Sequence, residues 1–486
     1  MDIRALSPLI LLVVSLPVRA QTTAQATPPS PPSGLKITGS MRLRVEDWNW
    51  FPTGKTDGAY SFVGALLRVG GVYQTPRTEG MFELAAPALV GLPTHATASA
   101  PQGALGQGAN YRDANRGQVA SLFVKQAYMR WKDIGPSHLG LRLGRFEFAD
   151  GAETSATDPS LAWLKQNRIA QRLIGPFGFT HIGRSFDGLQ VSRNTPGHNV
   201  TLLAAFPTRG VFSVQGQDTL TDVRLGYLAT TASQSSHRVH AEQRVFGIYY
   251  GDMRSQTIKV DNRPMAIRTG DHKNIEIGTI GGNVLRVDAL PSGTVDMLVW
   301  AAEQFGQWGA LNHGAYALAA EIGYQPSRLP WKPWFRTGYF VATGDANPAN
   351  GQHGTFMPIL PTPRIYARYP FFTEANLKDV WFQTILRPNA RTSIRSDVHG
   401  LWLDKGSDLW YAGGGAYENQ NFGYAGRPAN GQTNLGTLVD LSLDYQFDKD
   451  STLSLYVAYA HGGKVTTNLY KGGDSTYNYF EITRRF

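Results

Sequence analysis

One pattern recurs along nearly the whole chain: segments of about ten residues in which apolar and polar side chains alternate. Residues 36–48 show it plainly. Lys36, Thr38, Ser40, Arg42, Arg44 and Glu46 fall on one face, and Ile37, Gly39, Met41, Leu43 and Val45 fall on the other. A period of two is that of a β-strand. Eighteen such segments can be marked, at 36–48, 60–73, 79–87, 118–132, 138–148, 185–193, 198–206, 222–230, 241–250, 282–290, 294–305, 315–325, 333–343, 378–387, 391–403, 436–447, 451–461 and 476–486. Most are near the ~9–11 residues a tilted strand needs to cross a bilayer. The last ends flush on an aromatic, with Phe480, Ile482 and Phe486 sharing a face. After residue 20 there is no run of 18 apolar residues, so the sequence offers no membrane-spanning helix.

The connections sharpen this reading. The even-numbered ones are mostly tight, as at residues 74–78, 133–137, 194–197, 291–293, 388–390 and 448–450. The others are mostly long: 88–117, 149–184, 207–221, 251–281, 344–377, 404–435 and 462–475. Long external loops alternating with short periplasmic turns are the habit of outer-membrane barrels. A soluble sandwich has no reason to sort its loops this way, and no propeller-like repeat of fixed period is present. The predicted fold is all-β: a transmembrane antiparallel β-barrel of 18 strands, apolar face to lipid, polar face to a watery lumen. An even count puts both termini in the periplasm. Trp48, Trp50, Phe51, Trp331, Trp334, Phe335, Trp402, Tyr477 and Tyr479 lie at strand ends and are expected to form the two interfacial girdles.

The N-terminus agrees with export. Arg4, an apolar run at Leu9–Val14 and then Val18-Arg19-Ala20 read as a Sec signal peptide over residues 1–20, the run being too short for a spanning anchor. Residues 21–34 are rich in Pro, Thr and Ser and read as a periplasmic linker, leaving 35–486 as the barrel. The chain has no cysteine, so there is no disulfide framework and no thiolate metal site. Without residues 1–20 there are 44 Lys and Arg against 36 Asp and Glu, a net charge of +8. That excess suits an anionic partner. Export argues against nucleic acid, which leaves acidic solutes, acidic polysaccharide or lipopolysaccharide.

Parity along the strands places an arginine-rich set on the lumen face: Arg42, Arg44, Arg68, Arg142, Arg224, Arg244, Arg286, Arg336, Arg387 and Arg395. Apolar neighbours flank most of them, and an arginine facing lipid at the midplane would cost about 2–4 kcal/mol. Glu46, Glu83, Asp288, Glu321, Asp397, Asp440 and Asp444 are expected to share the lumen. Two readings stand side by side. Arginines paired with acids across strands brace the wall. Unpaired ones form an electropositive conduit, because the planar guanidinium binds carboxylates bidentately and positive rings select anions. A sliding polymer also needs many weak contacts, which interspersed acids would supply by competition.

Three segments carry a resemblance: Leu143-Gly144-Arg145-Phe146-Glu147-Phe148-Ala149-Asp150-Gly151; Arg184-Ser185-Phe186-Asp187-Gly188-Leu189-Gln190-Val191; and the run from Gly338-Tyr339-Phe340-Val341-Ala342-Thr343-Gly344-Asp345 through Thr355–Pro361 to Asn376-Leu377-Lys378-Asp379. In this order they resemble the alginate-export porins of bacterial outer membranes. The resemblance implies a monomeric eighteen-stranded barrel with an electropositive pore, gated by loops, that passes a polyuronate outward. It also implies that Arg145, Glu147, Arg184 and Asp187 sit together at the constriction, the arginines meeting polymer carboxylates and the acids orienting them. Phe146 departs from the polar residue common there.

Other motifs carry less. Asp345-Ala346-Asn347-Pro348-Ala349-Asn350-Gly351 misses calcium-loop spacing by one residue and reads as a turn-rich loop. Gly103–Gly108 is glycine-rich without the strand and helix a phosphate site needs. The eleven histidines have no HExxH spacing, and no GxSxG elbow is present. No catalytic residue, metal ligand or cofactor is therefore assigned, and no enzyme activity is expected. The expected function is passive export of an anionic polysaccharide such as an alginate-like polyuronate, with uptake of small anionic or sugar-acid solutes as the alternative. The expected setting is a Gram-negative outer membrane, with its lipid, lipopolysaccharide and barrel-insertion machinery as further partners.

Overall fold

The computed structural model describes residues 33–486; the signal peptide reading and nearly all of the linker lie outside the described residues. The alternating segments form strands throughout. The chain begins with β1 (Gly34–Asn49), β2 (Ala59–Gln74), β3 (Thr78–Val90), β4 (Phe123–Ile134), β5 (Leu139–Phe146) and β6 (Phe186–Thr195). It continues with β7 (His198–Pro207), β8 (Val223–Ser235), β9 (Val239–Asp252), β10 (Ile275–Leu290), β11 (Gly293–Trp308) and β12 (Leu311–Pro326). The remainder are β13 (Trp334–Ala342), β14 (Gln352–His353), β15 (Leu377–Asn389), β16 (Thr392–Trp402), β17 (Leu409–Gly413), β18 (Tyr424–Pro428), β19 (Asn434–Gln446), β20 (Ser451–Gly462) and β21 (Asp474–Arg485). β14 only rides on β12, and β17 and β18 make a separate hairpin within a loop. The other eighteen pair antiparallel in chain order, and β1 against β21 closes the barrel from Ser40↔Arg485 to Asn49↔Thr476. Gly39 and Phe486 complete the seam with reciprocal backbone bonds of 2.8 and 3.0 Å.

All eighteen predicted strands are present. The largest shift is in β10, which starts at Ile275 rather than 282. Gly278, Gly281 and Gly282 interrupt its alternation; a Cβ on Gly281 would meet the Ala301 carbonyl and the Phe246 ring. The link between β11 and β12 is the one short loop on the long-loop side. Gly309, at φ 60°, turns it, and Asp271 accepts the Ala310 amide at 3.0 Å.

The outer surface is apolar, with Leu43, Val45, Leu67, Val69, Val299, Ile322, Phe382 and Ile482 all exposed. That belt is what lipid would cover. The aromatic girdle expectation divides. Phe335 and Trp402 are exposed on the outer face and Trp331 is exposed in the turn before β13, but Trp48, Trp50, Phe51, Trp334, Tyr477 and Tyr479 are buried inside. Parity turns Trp48, Trp334, Tyr477 and Tyr479 inward, and Trp50 and Phe51 follow the end of β1; the returning long loops give them aromatic partners, Tyr369 lying 5.7 Å from Trp48 and Trp410 lying 6.1 Å from Phe51.

Two loops fold into the lumen, where the Phe179 carbonyl accepts from Arg44, Arg168 lies beside Glu321 and the Tyr366 carbonyl accepts from Arg395. Residues 147–185 carry α1 (Pro159–Leu164) and a following π-helical turn, Lys165–Ile169. Asp158 caps α1 by accepting the Leu161 amide at 2.8 Å, with Pro159 in the first turn. This helix reaches toward the short-turn end, which is periplasmic in such barrels: Gln325 donates to Ser160 at 2.8 Å, and the Trp163 and Trp334 rings lie 4.7 Å apart. Residues 343–376 run beside it, Leu360 donating to the Leu173 carbonyl at 2.9 Å.

Candidate functional site

The lumen wall is built by parity, and the charged side chains of the inner face meet either acids or loop backbone. On β1, Arg44 binds Glu481 at 2.6 Å and Glu46 at 3.3 Å, and lies 3.7 Å from the Phe179 ring. Arg42 donates to the carbonyls of Gly178 and Thr180 at 2.6 and 2.5 Å. Arg68 forks onto Glu83, both contacts at 2.7 Å, and also reaches Glu147 at 2.9 Å. Arg244 meets Glu153 at 3.3 Å and Asp150 at 3.5 Å. Arg336 bridges Asp296 and Glu321 at 3.1 and 2.9 Å, and Arg395 pairs with Asp397 at 2.5 Å. These residues are inward as predicted, and their contacts are those of a braced wall that also grips the inserted loops. Burial makes such contacts persistent: a charge without a partner there is costly.

Parity fails for two of the predicted lumen arginines. Arg224 is exposed on the outer face while Val223 (0%) and Leu225 (3%) point inward. Arg286 is also outward, its side chain 48% exposed, and pairs with Asp288 at 2.7 Å on that same face. Asp288 therefore leaves the lumen set as well. Both arginines sit near strand ends, Arg224 one residue into β8 and Arg286 four residues from the end of β10. There the penalty for charge on the lipid face falls toward ~0–1 kcal/mol, so the midplane argument does not apply.

The four residues expected at one constriction do not form one cluster. Arg145 and Asp187 are register partners joined at 2.7 Å, on the face shared with outward Leu143 and Leu189. Asp187 also takes a bond at 2.5 Å from Thr219 of the next loop. Glu147 is inside, bound to Arg68 and, at 3.4 Å, to Lys125. Arg184 is buried and donates to the carbonyls of Gly414 and Ala416, which pins the 403–433 loop; burial pushes its guanidinium down to about 10. The turn from strand into loop at Phe146 separates these partners, because it sends residues on either side of it to different faces. Phe146 itself is buried under the Arg142 guanidinium, 4.0 Å from its ring centre.

What remains for a mobile anion is a smaller set near the periplasmic end. Arg142 donates to Gln190 and is the register partner of Arg130. Among the described residues neither joins an ion pair, and both line a cavity of about 320 Å³ with Glu147, Glu153, Gln190 and Ser192. Arg387 and Arg391 line a second cavity of about 620 Å³ at the short-turn mouth. Arg387 is thus where the sequence placed it.

The inserted loops contribute charges that strand parity could not reveal. Lys165 binds Glu242 at 2.7 Å, Arg168 lies 3.5 Å from Glu321, and Arg172 lies 3.3 Å from Glu374. Burial lifts the Glu374 carboxyl to about 7 despite Arg172, and lifts Asp150 to about 6. Arg368 reaches Asp444 at 3.0 Å. Arg130, by contrast, was legible: Met129 and Trp131 flank it and are exposed. Among the described residues, no group of three or more acid, histidine or cysteine side chains is arranged to hold a metal.

A closed eighteen-stranded barrel with an apolar outside, long loops folded inward and a charged inner wall defines an outer-membrane porin. Its solved structural neighbours have the same fold. It aligns with Acinetobacter baumannii OccAB2 (TM-score 0.56, 10% identity, 93% of this chain and 98% of that one) and with Pseudomonas aeruginosa OccD3, OpdP (0.53, 12%, 93% and 91%). Acinetobacter baumannii OccAB4 is similar as well (0.53, 9%, 94% and 99%). A family model described as alginate export matches residues 94–476, and the chain belongs to that family. Comparison with curated proteins gives no match by sequence.

Proposed function

We propose that this porin carries an anionic saccharide passively across the outer membrane, and that the direction is outward, for a polyuronate of the alginate type. The observation that carries the reading is the pair of periplasm-side cavities lined by arginines without carboxylate partners. A uronate carboxylate entering there exchanges water for charge-assisted hydrogen bonds. The paired arginines further in, such as Arg68 and Arg395, offer contacts in competition with Glu83, Glu147 and Asp397. A carboxylate that shares a guanidinium with its resident acid is held less tightly than one on a free guanidinium, which suits movement of a chain rather than its capture. The same reading takes residues 1–20 as a Sec signal, and the barrel as an anion-selective monomer placed among lipopolysaccharide by the barrel-insertion machinery.

A second reading has its own support. The loops 147–185 and 343–376 fold inward against the lumen wall, and cavities of about 320 and 620 Å³ suit ligands of one or a few sugar units. That favours uptake of small sugar acids unless the loops yield. Single-channel recording with oligouronates of increasing length separates the two. Transient block whose dwell time lengthens from dimer to decamer supports the polymer conduit. Block that stops growing beyond the dimer supports small-solute uptake.

A further inference from the structure

The periplasmic mouth contains a feature that neither wall bracing nor loop anchoring uses. The turn joining β12 to β13 spans residues 327–333, longer than the other periplasmic turns, and it holds two consecutive residues in the left-handed region: Trp331 at φ 63° and Lys332 at φ 45°. Neither is a glycine or asparagine, so the conformation is held against preference. The Trp331 carbonyl fixes it by accepting the Arg387 amide at 2.6 Å. The result is an indole that is 57% exposed on the rim of the larger cavity, beside Lys332, Arg387 and Arg391. Among the described residues none of these three cations joins an ion pair. The one acid on the rim, Asp444, is engaged by Arg368 at 3.0 Å and by Ser454 at 2.5 Å. Thr392, Ser393, Gln446 and Thr452 supply uncharged polar groups to the same cavity.

We infer that this cavity is a binding site for an acidic sugar residue at the periplasmic entrance. The exposed face of an indole carries negative charge density and packs against the weakly positive C–H edges of a pyranose ring. The cations then take the carboxylate, Arg387 with a fork that matches its two oxygens. Neither half alone selects a uronate: an aromatic face accepts neutral sugars, and a guanidinium accepts any small anion. Together they recognise the ring and its charge at once. The site would raise the local concentration of an oligouronate at the mouth and orient it toward the inner arginines. The inference rests on the anionic-saccharide reading above and adds to it a place and a side.

The test is planar-bilayer block by tetragalacturonate added to one face at a time, with maltotetraose and inorganic sulfate as controls. Variants are Trp331→Ala, Arg387→Gln and Arg391→Gln, each checked for a folded barrel by heat-modifiable migration. Tetragalacturonate is expected to block from the short-turn side at lower concentration than from the loop side. Each arginine variant should raise the blocking concentration from that side about tenfold or more, the scale for losing a hydrogen bond to a charged group. Trp331→Ala should weaken tetragalacturonate block while leaving the effect of sulfate unchanged. Folded variants that block like the wild type overturn the site and leave the conduit reading standing. A wild-type channel that conducts but is blocked from neither side overturns both.

Discussion

Loop 147–185 is held in the lumen by an ion pair that offers a direct handle on channel opening. The Lys165 ammonium sits 2.7–2.8 Å from both oxygens of Glu242, with the two side chains 5% and 2% exposed. Thr154 donates to the same carboxylate at 3.0 Å. Replacing Glu242 by Ala strands a buried ammonium, which costs about 3–5 kcal/mol when its partner is removed. The barrel wall has little means of relieving that cost, because β9 pairs with both neighbours along its length. The loop does: withdrawing returns Lys165 to water. At about 1.4 kcal/mol per factor of ten, the balance between seated and released loop shifts by about 10² to several 10³. Glu242→Ala channels should therefore show larger or more frequently open conductance steps in planar bilayers. The paired change Lys165→Met with Glu242→Leu removes both charges and should return conductance toward wild type, since apolar replacement of a whole buried pair is near neutral or stabilising. Traces of folded Glu242→Ala channels that superimpose on wild type would refute the latch. A double variant more open than Glu242→Ala would refute its electrostatic basis.

Two further outcomes follow from the inserted loops and the seam. Burial holds Glu374 at about 7, above the ~4.3 of a free glutamate, so the seated loop 343–376 binds that proton more tightly than the released loop. Its seating is then favoured at pH 5 and weakens as pH rises toward 7. Protease cleavage within 343–376 should increase from pH 5 to pH 8, and Glu374→Gln should flatten that slope; an unaltered slope in the variant would contradict the assignment. At the seam, deleting Phe486 removes two backbone bonds to Gly39 and the ring that covers it, each bond being worth about 0.5–1.5 kcal/mol. The urea midpoint for loss of heat-modifiable migration should fall, and an unchanged midpoint would show that closure does not depend on it.

The barrel was legible because period-two alternation survives wherever one face meets lipid. Leu43, Arg44 and Val45 already declare their faces, and the structure keeps them there. The signal weakens where glycines replace it, as at Gly281-Gly282, and there β10 begins seven residues before its predicted start. It also misleads near the rims, where Arg224 and Arg286 can face outward at little cost. The loops were opaque for a different reason. Arg168, Arg172 and Lys165 are buried by contacts with strands far away in sequence, such as Glu321 and Glu242, and no local period encodes those partners. The aromatic ends of β1 and β21 show the same limit: Trp48 and Tyr477 face inward toward a loop whose position the strand sequence cannot reveal.

The most direct measurement is the zero-current reversal potential of the wild-type channel under a potassium chloride gradient, alongside Arg130→Gln with Arg142→Gln and, as a control, Arg145→Gln. The account predicts chloride preference in the wild type, a marked loss of it when Arg130 and Arg142 are replaced, and no change when the outward-facing Arg145 is replaced. A cation-selective wild type, or a selectivity that follows Arg145 and ignores Arg130 and Arg142, would contradict it.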